Sequence, residues 1–599
     1  MIPLILALTA PLAGALLVVI LPWRMRLWGV LIGLIATLAG LAGAQTIEHA
    51  PAWCSPLFIV ADSLLLLYFF WQGFKAGSKP VWLLALLQTF LFVPLIFSGA
   101  GAHESALMMD GLALFMALLV TIVGGVIILY ATHYIDAEAW DTRRKKAFIA
   151  ILMAFVAVMN WLVSVQNLEW FFLFFELTTL ASFLLIGSRG DEESRANALR
   201  ALWMNQVGGV AILTALWLLE AMKLPFTWYA VLENGSTMAG VLLFLSIAAL
   251  VKGAQIPFQG WLLGAMVAPT PVSAILHSAT MVKIAPWLIL KIAPALAGTL
   301  LSSLLALLGS FVFFAAGWLA LSEEPFKKIL AWSTIALLGL MIAMAAMATP
   351  LTMTIALVLM LFHALAKALL FLEAGIIERL WHIKTLPAMK ELYAQAPRTS
   401  LLIVMGFLFL TLPPFGAFLA KWAAIIAAAQ EGWRLAIGLP ILILIVFGST
   451  LLVILYFRTT GVLYKRPGSQ YGLTKETIPP LYNLPTMTLS WMTLVATLFL
   501  LPLWRLLGTI AEAPSELLAF VDLPFWVVAA ALIMIALLVP LTIRAHLQGV
   551  DRAREYSCGE RISVNEASYN LAPCQRSARL LMWFAALLWG AILVAGVSA

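Results

Sequence analysis

The stretch AALVKGAQIPFQGW, residues 248–261, places Lys252 in an apolar run, directly before a glycine and five positions before Pro257. Inside hydrocarbon a charged side chain is unfavourable, and glycine and proline weaken the helix that would carry it. Irregular backbone at membrane depth is tolerated only where it is buried in protein or lines a water-filled cavity. The stretch therefore predicts a broken membrane helix, with Lys252 beside a break that admits water and polar partners.

The composition of the chain sets its class. Of its 599 residues, 63% are hydrophobic and only 11% are charged, with a mean hydropathy of +1.03. Soluble globular domains carry about 25% charged residues, so the chain does not have the composition of one. Repeated apolar runs of roughly 18 to 25 residues can each cross about 30 Å of hydrocarbon as a helix. The sequence predicts an all-α polytopic membrane protein with about 16 or 17 transmembrane helices.

The distribution of basic residues between the loops predicts the orientation. The first eight spans are predicted at roughly 2–21, 28–44, 57–74, 81–98, 108–132, 148–166, 170–187 and 201–221. The odd-numbered loops hold eleven basic residues: Arg24, Arg26, Lys75, Lys79, Arg143, Arg144, Lys145, Lys146, Arg189, Arg195 and Arg200. The even-numbered loops hold Lys223 alone. Because basic loops stay in the cytoplasm, the N-terminus is expected outside, in a multi-pass protein of the cytoplasmic (inner) membrane.

The remaining spans continue the series to the end of the chain. They are predicted at about 238–256, 260–278, 280–296, 298–321, 329–347, 351–378, 400–428 (interrupted), 434–457, 487–508, 524–544 and 578–598. Two polar stretches, 458–486 and 545–577, are expected to be solvated loops or surface helices. The first span lacks a basic leader and a small-residue cleavage site, so we expect a retained helix rather than a signal peptide.

The sequence contains no motif for a cofactor, a metal or a nucleic acid. The three cysteines, Cys54, Cys558 and Cys574, are too scattered for a disulfide framework or an iron–sulfur site. A glycine-rich phosphate loop, CxxC and HExxH are all missing from the sequence. The net charge of +7 comes from the basic loops and indicates no nucleic-acid partner. We therefore expect a chain with no catalytic residue, cofactor or metal, which performs no redox chemistry by itself.

Ionisable residues inside the predicted spans are the candidates for function. A charge at membrane depth is unfavourable by at least about 2.5–3.5 kcal/mol, and such residues usually face a bundle interior or a water path. The candidates are Glu176, Lys252, His277, Lys283, His363, Lys367 and Lys421, with Glu373 further along the span of His363. A structural alternative applies to Lys283 and Lys291, since a lysine near a span end often extends its ammonium to the interface. A lone buried histidine often only satisfies a hydrogen bond.

Two features favour function over packing. His363 and Lys367 are four residues apart and share one helix face, where packing alone gives no reason for two titratable groups. Lys421 follows Pro413-Pro414-Phe415-Gly416, so it lies beside a helix break as Lys252 does. Two broken helices, one in each half of a chain, are typical of inverted repeats with an ion site near the midplane. The fold prediction therefore includes two inverted five-helix repeats that contain broken helices.

Three motifs carry a resemblance to a known family. They are APTPVSAILHSATMVK (268–283), KKILAWSTIALLGL (327–340) and HALAKALLFL (363–372), in that order. Over roughly residues 108–460 the chain resembles the antiporter-like proton-channel subunits shared by respiratory complex I, the multisubunit Mrp-type sodium/proton antiporters and the energy-converting nickel–iron hydrogenases. The resemblance implies a division into N-terminal additional helices (1–107), an antiporter-like proton-translocation core (108–460) and C-terminal helices with polar loops (461–599).

The resemblance also implies roles for individual residues in proton translocation. Glu176 is similar to the membrane glutamate of the family, and Lys252 to its broken-helix lysine. His277 is similar to the histidine after the Pro-Thr-Pro turn, and Lys283 ends the same motif. His363 and Lys367 are similar to the central pair, and Lys421 to the terminal lysine of the second broken helix. A lysine at this last position is similar to the distal membrane protein of complex I.

The sequence departs from that distal complex I protein at three places. An Arg-Val-Gly-Asp stretch is replaced by NQVGGV, which contains Gln206 and Gly209, and a second histidine one turn before His363 is replaced by Leu359. Two further spans, at about 57–98, are additional.

The expected function is that of an ion-translocating membrane subunit, with protons as the expected ion and sodium as the alternative. Its expected partners are other membrane subunits and a peripheral redox arm. The sequence PPFGAFLAKW, the additional spans and the Cys-Gly-Glu tail favour an energy-converting nickel–iron hydrogenase or a complex I-like enzyme. In such a complex this chain is expected to pump protons without catalysing the redox reaction. One alternative is an Mrp-like cation/proton antiporter component, and the other is the membrane component of a bicarbonate-uptake complex. Glu176 and Lys252 are expected to form a switchable ion pair, at one end of a hydrated row leading through His277, His363, Lys367 and Lys421.

Overall fold

The structure is a computed structural model that describes residues 2–44, 46–47, 54–98, 107–390, 392–431, 438–463, 476–513 and 575–598. Its regular structure is helical. The four helices that precede the core are α1 (Ile2–Ile20), α2 (Arg26–Ala42), α3 (Cys54–Lys75) and α4 (Lys79–Ser98). Helix α5 (Gly111–Tyr134) joins them to the core. The three helices that close the described chain are α21 (Pro480–Leu498), α22 (Leu500–Ile510) and α23 (Gln575–Ser598).

The core between them consists of two consecutive halves. The helices of the first half are α6 (Thr142–Ser164), α7 (Leu168–Ile186), α8 (Glu192–Ala221), α9 (Trp228–Asn234), α10 (Ala239–Lys252), α11 (Gly260–Gly264), α12 (Thr270–Ser278) and α13 (Ile284–Leu296). The helices of the second half are α14 (Leu300–Ala320), α15 (Phe326–Ala346), α16 (Pro350–Leu380), α17 (Leu392–Gln395), α18 (Pro397–Thr411), α19 (Gly416–Glu431) and α20 (Gly438–Leu463).

Each half contributes five membrane crossings, and the fourth crossing of each is broken. In the first half α10 ends at Lys252 and helix resumes at Gly260, and in the second α18 ends at Thr411 and α19 begins at Gly416. Both interruptions lie where the sequence predicts them. Because five is an odd number, the second half enters the membrane from the opposite side to the first, as the inverted repeats of ion transporters do.

The number of spans agrees with the prediction to within one or two. Among the described residues, 15 helices are long and apolar enough to cross a membrane, or 16 if a bent pair counts as one span. The spans predicted at 260–278 and 280–296 are divided differently: Gly260–Gly264 continues the broken fourth crossing, and Thr270–Leu296 forms one interrupted crossing. The span predicted at 524–544, the polar stretch 545–577 up to residue 574, and Cys558 and Cys574 lie outside the described residues.

The span predicted at 487–508 contains a sharp bend. Residues there form two helices, α21 and α22, whose axes differ by 82°. Pro502 explains the position of the bend, because proline lacks the N–H that would continue the helix of α21 but is tolerated in the first turn of a new one. Helix α22 begins two residues before it.

Polar side chains fix the starts of the helices that carry the site. Asn167 Oδ1 accepts hydrogen bonds from the backbone N–H groups of Glu169 and Trp170 at the start of α7. Asp191 does the same for α8, where its side chain accepts from the backbone N–H of Ser194 at 2.7 Å. Hydrogen bonding from Ser194 holds the pKa of Asp191 below its ordinary value. These caps satisfy N–H groups that the helix itself leaves unpaired.

The additional spans form an antiparallel hairpin, α3–α4, which packs against α7 and α8. Its buried apolar side chains contact those of the core in one cluster: Leu65, Phe69, Val81, Ala85, Leu173 and Leu202. On the opposite face large apolar residues are exposed, with Phe90 74% accessible and Phe97 83% accessible. The hairpin is therefore a layer between the first half of the core and its surroundings, and it brings α4 close to Glu176.

Candidate functional site: a buried polar row

Glu176 lies in the middle of α7 and is fully buried. Its Oε1 accepts a hydrogen bond of 2.7 Å from Nε2 of Gln88, which is also fully buried and belongs to α4. Gln88 Nε2 donates as well to the backbone carbonyl of Gln206, at 3.1 Å. The second carboxylate oxygen of Glu176 has no hydrogen-bond partner among the described residues. One side of this carboxylate is thus held by the α3–α4 hairpin.

Lys252 is the last residue of α10 and is held by α7. Its Nζ donates to the hydroxyls of Thr178 and Thr179, both at 2.8 Å, and to the backbone carbonyl of Phe175 at 3.0 Å. The ammonium also lies 4.1 Å from the centre of the Phe175 ring, as in a cation–π contact. Among the described residues, the ion pairs within 4.0 Å do not include Glu176 with Lys252. Glu176 and Lys252 therefore make no direct ion pair in this structure: Gln88 binds Glu176, and residues of α7 bind Lys252.

The break after Lys252 is stabilised by side chains. Trp261 Nε1 donates to the carbonyl of Val251 at 3.0 Å, and Gln255 Nε2 donates to that of Gly253 at 2.9 Å. Trp589 of α23 donates its indole N–H to the carbonyl of Ile256 at 2.7 Å. The last carbonyls of a helix lack intrahelical partners, and at membrane depth each must find another donor. Three side chains supply those donors, so specific hydrogen bonds stabilise the break.

Four buried titratable groups lie together where the two halves meet. Lys283 Nζ lies 2.9 Å from Nδ1 of His363. Lys367, one turn along α16, donates to the hydroxyl of Ser333 at 2.5 Å and to the carbonyl of Leu330 at 3.1 Å. The His277 ring lies 4.8 Å from the Phe371 ring, and its nitrogens have no hydrogen-bond partner among the described residues.

Lys421 lies on the second broken helix, in α19, which packs on α16. It is 3% exposed, so it does not face lipid in this structure. Its Nζ is 3.4 Å from the carbonyl of Thr411, the last residue of α18, which is one of the acceptors that a helix C-terminus leaves open. The second break therefore holds a lysine through its own free backbone, whereas the first holds Lys252 through α7.

The predicted site residues follow a series of packed helices. Helix α7 packs on α8, which packs on α10; α10 packs on α13, α13 and α16 pack on α15, and α16 packs on α19. The structure brings His277, Lys283, His363 and Lys367 into one group, with Glu176 and Lys252 in the first half and Lys421 in the second. Lys283 does not extend to the interface, because it is fully buried. Lys291 is the lysine at an edge, in an ion pair of 2.6 Å with Asp110.

Gln88 and Asp62 are buried polar residues outside the set that the sequence predicts, whereas Glu373 accompanies that set in the sequence. Gln88 and Asp62 lie in the α3–α4 hairpin, with Asp62 only 3% exposed and its Oδ1 without a hydrogen-bond partner among the described residues. Glu373 of α16 is fully buried, 3.8 Å from Nη2 of Arg398. An aspartate inside an apolar run, FIVADSLLLLYFF, is the sequence signal for Asp62. Gln88 carries no charge, so only its position identifies it.

A polar cavity opens near the C-terminal end of α16. It has a volume of about 250 Å³ and is lined by charged side chains of both signs, including Arg189, Asp191, Lys327 and Glu378. Lys327 Nζ and Glu378 Oε2 form an ion pair of 2.5 Å there. Within the described ranges, no group of three or more His, Cys, Asp or Glu side chains is placed to hold a metal ion.

Comparison with known families matches most of the core. Residues 165–450 match the family described as "NADH:quinone oxidoreductase/Mrp antiporter, TM". Residues 98–144 match "NADH-Ubiquinone oxidoreductase (complex I), chain 5 N-terminus". The seven candidate residues all lie inside the first range, whereas residues 54–97 of the α3–α4 hairpin lie outside both.

Two curated relatives are similar to this chain in sequence. The chain is 32% identical over 402 residues to a probable K(+)/H(+) antiporter component of Rhizobium meliloti (strain 1021), covering 61% of this chain and 40% of that protein. It is 32% identical over 384 residues to an Na(+)/H(+) antiporter component of Alkalihalophilus pseudofirmus, covering 58% of this chain and 47% of that protein. The chain thus spans about half the length of the curated relatives it matches.

Two solved structures share the fold. A chain of the Mrp complex from Dietzia sp. DQ12-45-1b aligns with a TM-score of 0.68 at 23% identity, covering 98% of this chain and 60% of that one. A chain of the membrane-bound sulfane sulfur reductase, an archaeal respiratory membrane complex, aligns with a TM-score of 0.61 at 18% identity. That alignment covers 78% of this chain and 99% of the other.

Proposed function

The chain belongs to the antiporter-like membrane protein family of complex I and the Mrp antiporters, and from that premise we propose that it translocates ions within an Mrp-type cation/proton antiporter. The observation that carries the proposal is the buried group of His277, Lys283, His363 and Lys367 between the two halves. The names of the curated relatives support the antiporter alternative better than the expected hydrogenase or complex I-like enzyme.

In this proposal protons move along the buried row. Glu176 and Lys252 pair and separate, and the lysine exchanges its proton with the central group, from which Lys421 leads onward. Lysine and histidine suit such a path because each can gain and lose a proton, whereas arginine stays charged. The proposed setting is the cytoplasmic membrane with the N-terminus outside, beside other membrane subunits that complete the antiporter.

A second candidate function has one observation in its favour. The likeness to the sulfane sulfur reductase chain covers 99% of that chain, whereas the curated antiporter components are about twice as long as the part matched here. A chain with this fold therefore also suits the membrane arm of a redox-driven complex. In that setting a peripheral redox arm, rather than a cation gradient, would drive the same row of residues.

The two functions separate by what drives proton movement. We suggest purifying the complex around the tagged full chain, reconstituting it in proteoliposomes and following internal pH with a fluorescent dye. An antiporter exchanges protons when a sodium or potassium gradient is imposed, and the Glu176→Gln complex does not. If cation gradients move no protons while a reductant does, the redox candidate replaces the antiporter.

A further inference from the structure

The α3–α4 hairpin reaches into the site through a single side chain. Gln88 is fully buried, and its Nε2 contacts both the Glu176 carboxylate at 2.7 Å and the Gln206 carbonyl at 3.1 Å. A neutral amide that donates to a carboxylate makes a charge-assisted hydrogen bond, which is stronger than a bond between neutral groups. The hairpin therefore bears directly on the position of Glu176.

Gly209 provides the space for this contact. A Cβ atom added at Gly209 would overlap both Glu176 Oε1 and Gln88 Nε2, so no side chain fits there while the two residues touch. Gly209 lies where the sequence departs from the Arg-Val-Gly-Asp stretch of the distal complex I protein, and the hairpin is the additional segment. The two departures are thus complementary: the glycine leaves room that the glutamine uses.

The contact also gives Glu176 a hydrogen-bond partner different from those of Lys252. Gln88 binds Oε1 of Glu176 from α4, while Lys252 donates to Thr178 and Thr179 on the next turn of α7. The two charged groups are therefore held by different partners, although they belong to the same part of the bundle. Asp62 of α3 is another ionisable residue that the hairpin buries, and its Oδ1 has no hydrogen-bond partner among the described residues.

We propose that Gln88 is a positioning residue, through which the α3–α4 hairpin holds Glu176 apart from Lys252 and so controls how often the two residues pair. The inference rests on the proposed function of the pair. When the hairpin shifts relative to α7, the Gln88 contact breaks, and the free carboxylate can turn toward Lys252. Whatever packs against the exposed face of the hairpin would then act on the ion pair through this hydrogen bond.

A spectroscopic test does not require transport. In the purified full chain, infrared difference spectra recorded between acid and alkaline pH contain a carboxyl band of Glu176, which is assigned by its loss in Glu176→Gln. In Gln88→Leu this band should shift to higher frequency, because the carbonyl loses its hydrogen-bond donor. Gln72→Leu is the matched control, since Gln72 lies in the same hairpin and the described contacts of Glu176 do not include it. An unmoved band in Gln88→Leu overturns the proposal.

A second test uses the space at Gly209. Gly209→Ala should lower the thermal unfolding temperature, and shortening the neighbour in Gln88→Ala/Gly209→Ala should recover part of the loss. Gly208→Ala is the matched control, because its Cβ would meet the Phe175 ring instead and Gln88→Ala should not help it. Equal recovery in both backgrounds, or none in either, would overturn the complementary fit of the two residues.

Transport then separates this inference from the proposed function. A hydrogen bond to a charged group contributes about 1.5–3 kcal/mol, so losing it should change the paired fraction roughly tenfold or more. Gln88→Leu should therefore alter the rate and pH dependence of transport, with Gln72→Leu unchanged. If Glu176→Gln transports normally, the proposed function fails, even where the infrared band has moved. If Glu176→Gln abolishes transport but Gln88→Leu changes neither the infrared band nor transport, the positioning role fails.

Discussion

Lys283 Nζ and His363 Nδ1 lie 2.9 Å apart, at a contact between the first and second halves of the core. Both side chains are buried, so water does not screen them from one another. Two cations at this distance in a low-dielectric interior repel strongly, whereas a lysine that donates to a neutral imidazole makes a good hydrogen bond. The geometry therefore suits one shared proton, at the point where a proton would pass from one half to the other.

Lys283→Arg should abolish ion transport, because arginine cannot release a proton to His363 at any relevant pH. The matched control is Lys291→Arg, which changes a lysine of the same crossing that is paired with Asp110 at its edge. Dye-monitored proton movement in proteoliposomes measures both. Similar rates in the two variants would show that Lys283 never needs to lose its charge.

Glu176→Gln should leave the complex assembled but without transport, and Lys252→Arg should fail as well. A switchable pair requires both members to change charge, and neither glutamine nor arginine does so at any relevant pH. Size-exclusion chromatography checks assembly, and Lys223→Arg in a loop is the control. Normal transport by Lys252→Arg would falsify the switch and favour a static pair that only holds two helices together.

Ser333→Ala should slow transport roughly tenfold, since Lys367 loses one of its two hydrogen-bond partners and bonds to charged groups contribute about 1.5–3 kcal/mol. Ser310→Ala is a suitable control: this buried serine of α14 has no hydrogen-bond partner among the described residues. The initial rate of proton movement is the measurement. A fully active Ser333→Ala variant would remove Ser333 from the path.

Trp589→Phe should destabilise the purified chain by about 1–3 kcal/mol, the usual effect of leaving a buried carbonyl without its donor. Trp583→Phe tests the same exchange at a tryptophan of α23 that is 71% exposed. Thermal unfolding in detergent compares the two variants with the parent. An equal effect of both would mean that aromatic packing, rather than the bond to Ile256, holds α23.

The parts of the fold that follow from local chemistry were predictable. Glycine or proline next to Lys252 and before Lys421 marked both breaks, because helix weakening and an unfavourable charge act within a few residues. The burial of Lys283 was not predictable, since the alternative in which it extends to the interface depends on where its crossing ends. The bounds of the crossing Thr270–Leu296 were not predictable for the same reason, because they also depend on where each crossing ends.

The partners within the site depend on distant parts of the chain. Gln88 meets Glu176 across 88 residues, and an uncharged glutamine in an apolar run has no local signal that sets it apart. The sequence likewise indicated a pair of Glu176 and Lys252, but not that the two side chains would have different hydrogen-bond partners. Asp62 could have been found, because the criterion that selected Glu176 applies equally to an aspartate inside a span.

The bond between Trp589 and Ile256 gives the biosynthesis of this protein an order. Its two residues are 333 positions apart, and at roughly 5–20 residues per second the ribosome needs roughly 17 to 67 s between them. During that interval the first half is already in the membrane, with the Ile256 carbonyl still lacking its final donor. The first broken helix is therefore completed late in synthesis, and a ribosome that stops before α23 leaves the break without this hydrogen bond.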